Sequence, residues 1–420
     1  MNTRMNLMPG VNLTAVQSEK FKTGCFSVNL LRPLCRKEAS KNALIFSVLL
    51  RGTEQYPDIQ SLSGAMDELY GTEIGLLVRK KGEVQSVGLY ADFVEDDLVG
   101  EPVFARVVDL VAQLLLKPKT ENGVFDRQYV EREKENLIHS IQSRINSKRS
   151  YAMSQMVKNM CVGEAFGTDR LGEEEDVTPI TAENLYAHYG EILRTSRVEI
   201  CYMGRKTPEE VAAAFTSALK ALPREEITEV STVFCPAVKA VRTVEEKLNV
   251  TQGKLCMGFR LGCRGGDEGW PAMQVMAAVF GSGITSKLFM NVREKMSLCY
   301  YASASLEKFK GIMSVSSGIE FSKFETAKDA ILQQLEDCKN GVISDYELES
   351  AKKYLLSGMK TSKDSSGHMD EFHLGQAIAG RTETLDDLME KITKVTKEDV
   401  ASAAEQAVLD TVYFLKGVEV

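Results

Sequence analysis

Apolar residues in this chain follow two periods, and the switches from one to the other come in pairs. Lys254 to Gly262 alternates in the manner of a strand, with Leu255, Met257, Phe259 and Leu261 on one side. Val198–Gly204 and Thr411–Gly417 are rich in β-branched and aromatic residues and end in glycine, so they too read as strands. Each of these last two is preceded by a helical stretch opened by threonine, Thr181-Ala182-Glu183-Asn184 and Thr396-Lys397-Glu398-Asp399. Threonine is a good N-cap, and an amide or acid three residues on can complete a capping box.

Two further landmarks recur in the same order. Long polar helices are predicted from Asp126 and from Ser344, where Ser344 and Glu347 have capping-box spacing. Strand-turn-helix patterns run from Gln85–Asp92 into a helix over 95–115, and from Ile312–Ile319 into a helix over 324–335. The three landmarks are offset by roughly 215 to 225 residues, which argues for a duplicated module. The predicted modules are 1–222 and 247–420, each an α+β layer sandwich. A helix over 208–222 closes the first, and 223–246, acidic, aperiodic and containing Pro223 and Pro236, reads as the linker.

Composition narrows the function. At 420 residues the chain is too long for one ordinary core. Its 44% hydrophobic and 26% charged content is that of a globular protein, and a net charge of −8 without basic blocks argues against a nucleic-acid surface. No apolar stretch suits a signal peptide or a membrane span. Nine scattered cysteines, odd in number and without C-x-x-C, point to a reducing cytoplasm and against a structural zinc.

Candidate chemistry is sparse. Of four histidines, His368 and His373 flank Glu371, but they lie five positions apart and a helix would turn them to different faces. The stretch follows Asp364-Ser365-Ser366-Gly367 and is expected to be loop-like polar surface. No nucleophile elbow occurs, and Phe280-Gly281-Ser282-Gly283-Ile284-Thr285-Ser286-Lys287 fits neither phosphate-binding glycine motif. By itself that segment is a flexible turn before an amphipathic helix. Arg293 and Tyr300 would lie two helical turns apart if the helix persisted.

The segment from Gly281 to Tyr300 nevertheless resembles the glycine-rich loop, helix and Arg/Tyr block of the pitrilysin/insulinase zinc-peptidase family, with its seven-residue Arg-to-Tyr spacing. The resemblance implies two homologous domains, each a mainly antiparallel sheet packed with helices, enclosing a central chamber. It also implies that Arg293 and Tyr300, with Gly281, Ser282 and Gly283, grip the carbonyls of an extended peptide.

The first half departs from the family where the metal should sit. Family catalytic domains carry His-x-x-Glu-His before a Lys/Arg-Gly-Thr turn. Here the turn is Arg51-Gly52-Thr53, and counting back puts Ala43, Phe46 and Ser47 at the ligand and base positions. The third ligand lies seven residues beyond a glutamate in the family; Glu133 matches that glutamate and Ser140 stands at the ligand. A zinc peptidase needs about three protein ligands, an open position and a base. With Asn42, the turn and Leu69-Tyr70-Gly71, the pattern resembles the bacterial non-peptidase branch of the family. The resemblance implies a peptide-binding subunit with no cofactor and no activity of its own, partnered by an active zinc-bearing homologue. A homodimeric scaffold with no role in proteolysis is the other reading.

Overall fold

Residues 2–418 are described in a computed structural model of the chain. The chain forms two compact units that are not simple halves. The first comprises 1–142, 168–231 and 365–381, and the second 143–167, 232–364 and 382–420.

The first unit is built on a six-stranded sheet from β1 (Asn2–Met8), β2 (Val11–Gln17), β3 (Thr23–Pro33), β4 (Glu73–Lys81), β5 (Val84–Val94) and, beyond a short hairpin of β6 (Thr120–Glu121) and β7 (Val124–Phe125), β8 (Arg197–Gly204). Its order is β1-β2-β8-β3-β5-β4, antiparallel except for the parallel β2–β8 pair. The second sheet contains β9 (Arg242–Leu248), β10 (Gly253–Leu261), β11 (Cys299–Glu307), β12 (Ile312–Ile319) and β13 (Ala407–Gly417), in the order β11-β12-β10-β13-β9. It too is antiparallel apart from one pair, β13–β9. Read from β4 and from β11, the orders coincide: β4-β5-β3-β8-β2 against β11-β12-β10-β13-β9, with the parallel pair at the same place. Two chance α+β folds would not share all of this, and the predicted duplication is visible in the topology.

The central strands of each sheet are buried on both faces. In β3, Phe26, Val28 and Leu30 enter the core beneath the helices Arg36–Leu49 and Val103–Leu116. In β10, Leu255, Met257, Phe259 and Leu261 do the same beneath Trp270–Gly281 and Phe324–Lys339. The opposite faces are covered by exchanged helices. Lys148–Met160, coded in the first half, lies on β10 and β13 of the second unit, where Ala152, Met156 and Met160 pack with Cys256, Tyr413 and Leu415. A Cβ on Gly258 would meet the sulfurs of Met156 and Met160 at 2.5 and 2.6 Å, so a larger residue here would have to push those thioethers aside. Reciprocally, Ser366–Ala379 lies on β3 and β8 of the first unit, with Leu374 against Leu31, Val84 and Cys201.

This exchange corrects the expectation of loop-like polar surface around His368–His373. Ser365 caps a helix by accepting from the His368 amide at 3.3 Å. Asp370 and His373 are buried in that helix. Asp370 accepts the Ser27 hydroxyl and pairs with Arg79 at 2.6 Å. A polar helix reads as surface until the sheet that satisfies its polar groups is known, and here that sheet belongs to the distant half. The predicted caps at Thr181, Ser344 and Thr396 all form capping boxes, with Asn184, Glu347 and Asp399. The helix expected over 95–115 is split into Asp96–Val99 and Val103–Leu116 by left-handed Gly100 (φ 75°) and Pro102. No helix or strand occupies 219–241, and β9 begins inside the interval expected as linker.

Candidate functional site

In the second unit the buried helix Trp270–Gly281 ends against β11. A Cβ on Gly281 would lie 2.6 Å from the Ala304 Cβ and 2.8 Å from its nitrogen, so only glycine lets the helix end meet the strand. Ser282 donates its hydroxyl to the Ala304 carbonyl at 3.0 Å. Gly283 is left-handed (φ 92°) beside the Tyr354 ring, and Ser286 donates to the Gly283 carbonyl at 2.9 Å. The glycine-rich segment is thus a pinned turn. It leaves Ile284 at the tip, 72% exposed.

Leu288–Lys295 winds as a π-helix, closed by the Met296 amide on the Asn291 carbonyl at 2.9 Å. Such winding is rare and is frequently found at functional sites. Leu288 and Val292 anchor it in the core. Lys287, buried, binds Glu347 at 2.8 Å, and Asn291 donates to Gln334 at 2.5 Å. Burial alone would raise the Glu347 carboxyl, but the Lys287 ammonium and the Ser344 cap outweigh it and hold it below its ordinary value. Arg293, 37% exposed, is stacked over the Phe289 ring with its guanidinium carbon 4.5 Å from the centroid, and contacts Glu294 at 3.2 Å.

Tyr300 is not two helical turns beyond Arg293. The helix stops at Lys295, Ser297 turns left-handed (φ 51°), and β11 begins at Cys299. Cys299 pairs with Ile319 and Tyr301 with Gly318, so Tyr300 is the extra residue of a β-bulge. The bulge turns the phenol out, 64% exposed, although its neighbours Cys299 and Ala302 are buried. The sequence carried the seven-residue spacing but no sign of the bulge. Nor did it mark Phe289 and Tyr354, which shape the site from beneath Arg293 and beside Gly283.

The degenerate metal positions lie in the first unit. Ala43 and Phe46 are buried in the core on the helix Arg36–Leu49, with Ser47 half-buried beside them. That helix packs against Arg127–Gln142, which carries Ser140, exposed, with its hydroxyl on the Asn136 carbonyl at 2.9 Å. Glu133 pairs with Arg51, both largely buried, and accepts from Asn136 at 3.2 Å. Asn42, one turn before Phe46, is fully buried, donates to Gln85 at 2.8 Å and bonds His188 at 2.7 Å. A methyl and a phenyl offer no lone pair, and Glu133 is committed to a guanidinium. These residues do not fit a zinc ion. Among the described residues, no three His, Cys, Asp or Glu side chains are grouped to hold a metal.

Comparison with known proteins agrees with this geometry. Residues 179–355 match the family model described as the peptidase M16 inactive domain. The chain is 34% identical over 412 residues to the "Probable inactive metalloprotease YmfF" of Bacillus subtilis, covering 98% of this chain and 96% of that protein. This chain belongs to the M16 peptidase family, on its inactive branch. Among solved structures it resembles a conserved protein from Enterococcus faecalis, with a TM-score of 0.92, 28% identity and 99% of both chains covered. A peptidase M16 inactive domain from Pseudomonas fluorescens shares the fold, with a TM-score of 0.81 and 16% identity over 100% of this chain and 98% of that one. Among the described residues of this M16 homologue, no helix is long and apolar enough to cross a membrane.

Proposed function

We propose that this M16 homologue is the non-catalytic, peptide-binding subunit of a heterodimeric processing peptidase, paired with an active zinc-bearing homologue. One contrast carries the reading. The metal positions have become core and surface residues, Phe46 foremost, while Arg293 stays half-exposed, braced on Phe289, and Tyr300 is turned out by a bulge. In such a subunit the Arg293 fork and the Tyr300 hydroxyl donate to the carbonyls of an extended peptide, beside the turn of Gly281, Ser282 and Gly283. The catalytic water and its metal belong to the partner. The nine free thiols favour a reducing cytoplasm as the compartment.

The test is co-purification followed by titration. The chain should bring down an M16 homologue that carries the zinc motif, should hold no stoichiometric zinc itself, and should raise that partner's turnover. Arg293→Lys and Tyr300→Phe should lose that gain with assembly intact, at about 1–3 kcal/mol together for one or two polar contacts. Self-association with no zinc homologue, and variants without effect, would instead establish a homodimeric scaffold.

A further inference from the structure

Next to Tyr300, on the face of the second sheet covered by Lys148–Met160, two cations share one aromatic ring. The Arg149 guanidinium carbon stands 4.2 Å from the Tyr301 centroid, and the Lys254 ammonium nitrogen 5.9 Å from it. Arg149 spends one of its five N–H donors on the Ser303 hydroxyl at 2.8 Å, and Lys254 donates to the Gln252 side-chain oxygen. Among the described residues neither cation pairs with a carboxylate, although most of their counterparts elsewhere in the chain do. Lys254, Tyr301 and Ser303 are half-buried and Arg149 is exposed, so the cluster is reachable.

The electrostatics are those of a site wanting an anion. Burial, and then the neighbouring Arg149, hold the Lys254 ammonium below its ordinary value, so the two like charges destabilise one another. Among the described residues no acid relieves this. The Tyr301 ring lies against the Arg149 guanidinium and one N–H goes to Ser303, and a carboxylate matches the planar fork of donors that a guanidinium carries.

We propose that Arg149, Lys254, Tyr301 and Ser303 form a carboxylate site of the second unit, which takes the C-terminal carboxylate or an acidic side chain of a peptide held by Arg293 and Tyr300. This rests on the peptide-binding reading. It adds that the favoured peptides carry a negative charge a short way along the chain from the Tyr300 contact.

Three dye-labelled peptides of one neutral sequence test it on the full chain by fluorescence anisotropy: one C-terminally amidated, one with a free C-terminus, one amidated with a central Glu. At least one charged peptide should bind about 10-fold tighter than the neutral one or better, the scale of a hydrogen bond to a charged group. Arg149→Gln with Lys254→Gln should remove that gain and leave the neutral peptide's Kd unchanged. A gain confined to the free acid assigns the site to the terminus, and one confined to the Glu peptide to a side chain. Equal binding of all three overturns the site and leaves the peptide reading standing. If none binds, the peptide reading falls, and the site is decided on wild-type protein alone. N-acetylglycine, but not N-acetylglycinamide, should then slow acetylation of Lys254 by acetic anhydride several-fold, read by mass spectrometry. No protection overturns the site.

Discussion

Replacing Asp370 by alanine should destabilise the first unit, although this residue is coded next to the second. Its carboxylate sits 6% exposed on the exchanged helix, accepts the Ser27 hydroxyl of β3 and pairs at 2.6 Å with Arg79 of β4. Removing one member of a buried pair leaves the other charge uncompensated, at about 3–5 kcal/mol. Arg79 keeps a fifth of its side-chain surface and a longer contact to Glu371 at 3.5 Å, so the lower end of that range is expected. A unit of roughly 200 residues loses about 2–4 °C per kcal/mol, which gives a melting shift of about 6–12 °C. The double variant Asp370→Leu/Arg79→Met should recover much of the loss, because no charge is left unpaired. Calorimetry supplies the shift. Hydrogen exchange supplies its location, with faster exchange in peptides from β3 and β8 and little change in β10. Trp270, the single tryptophan and buried in the second unit, gives a separate optical probe of that unit. A loss under 1 kcal/mol, or faster exchange confined to β10 and β13, would refute the assignment of this helix to the first sheet.

Restoring the family's metal set should fail at Phe46. Phe46→Glu puts a carboxylate into a fully buried site and forfeits a core ring, at about 3–5 kcal/mol or more, whereas Ser47→His on the half-buried side should cost under 1.5 kcal/mol by urea titration. Gly281→Ala should destabilise by about 1–3 kcal/mol through its clash with Ala304, and Gly283→Ala by a similar amount through its left-handed backbone, both read by chemical denaturation. Burial pushes the thiols of Cys25, Cys256 and Cys338 up to about 12 and that of Cys263 to about 11, so at pH 8 they hold almost no thiolate. Iodoacetamide mapping should therefore find Cys35 and Cys235 modified first. In Glu164, burial raises the carboxyl, but hydrogen bonds from Arg260 and Lys310 outweigh it and hold it below its ordinary 4.5. A depressed carboxylate stabilises the fold above its unfolded value and loses that contribution as pH falls through the folded one, so Glu164→Gln should flatten the acid limb of stability against pH below about 4.5.

What could be read from the chain was local or repeated. Capping boxes need four residues and all three predicted ones form. The module was legible because β8 and β13 follow their capped helices at the same spacing. The alternation of Leu255 to Leu261 marks the strand, yet Cys256, Gly258 and Arg260, on its other side, are buried too. A second covering helix does this, and nothing near β10 in sequence announces it. The same reason hid Asp370 and His373. In the candidate site, the order of glycine, arginine and tyrosine was plain, whereas the π-helix and bulge that display Tyr300 depend on the register of β11 with β12, a pairing no local pattern specifies.

The exchanged helices also set an order of completion during synthesis. The first sheet has all its strands once β8 is made, but its open face waits for residues 365–381. At about 5–20 residues per second, the 134 residues from Ser231 to Ser365 take roughly 7–27 s to translate. Throughout that interval Ser27, Asn29 and Cys201 face outward without the helix that will bury them. Nascent chains stalled after β8 should thus carry an uncovered sheet face and engage chaperones, and chains released after Ala379 should not.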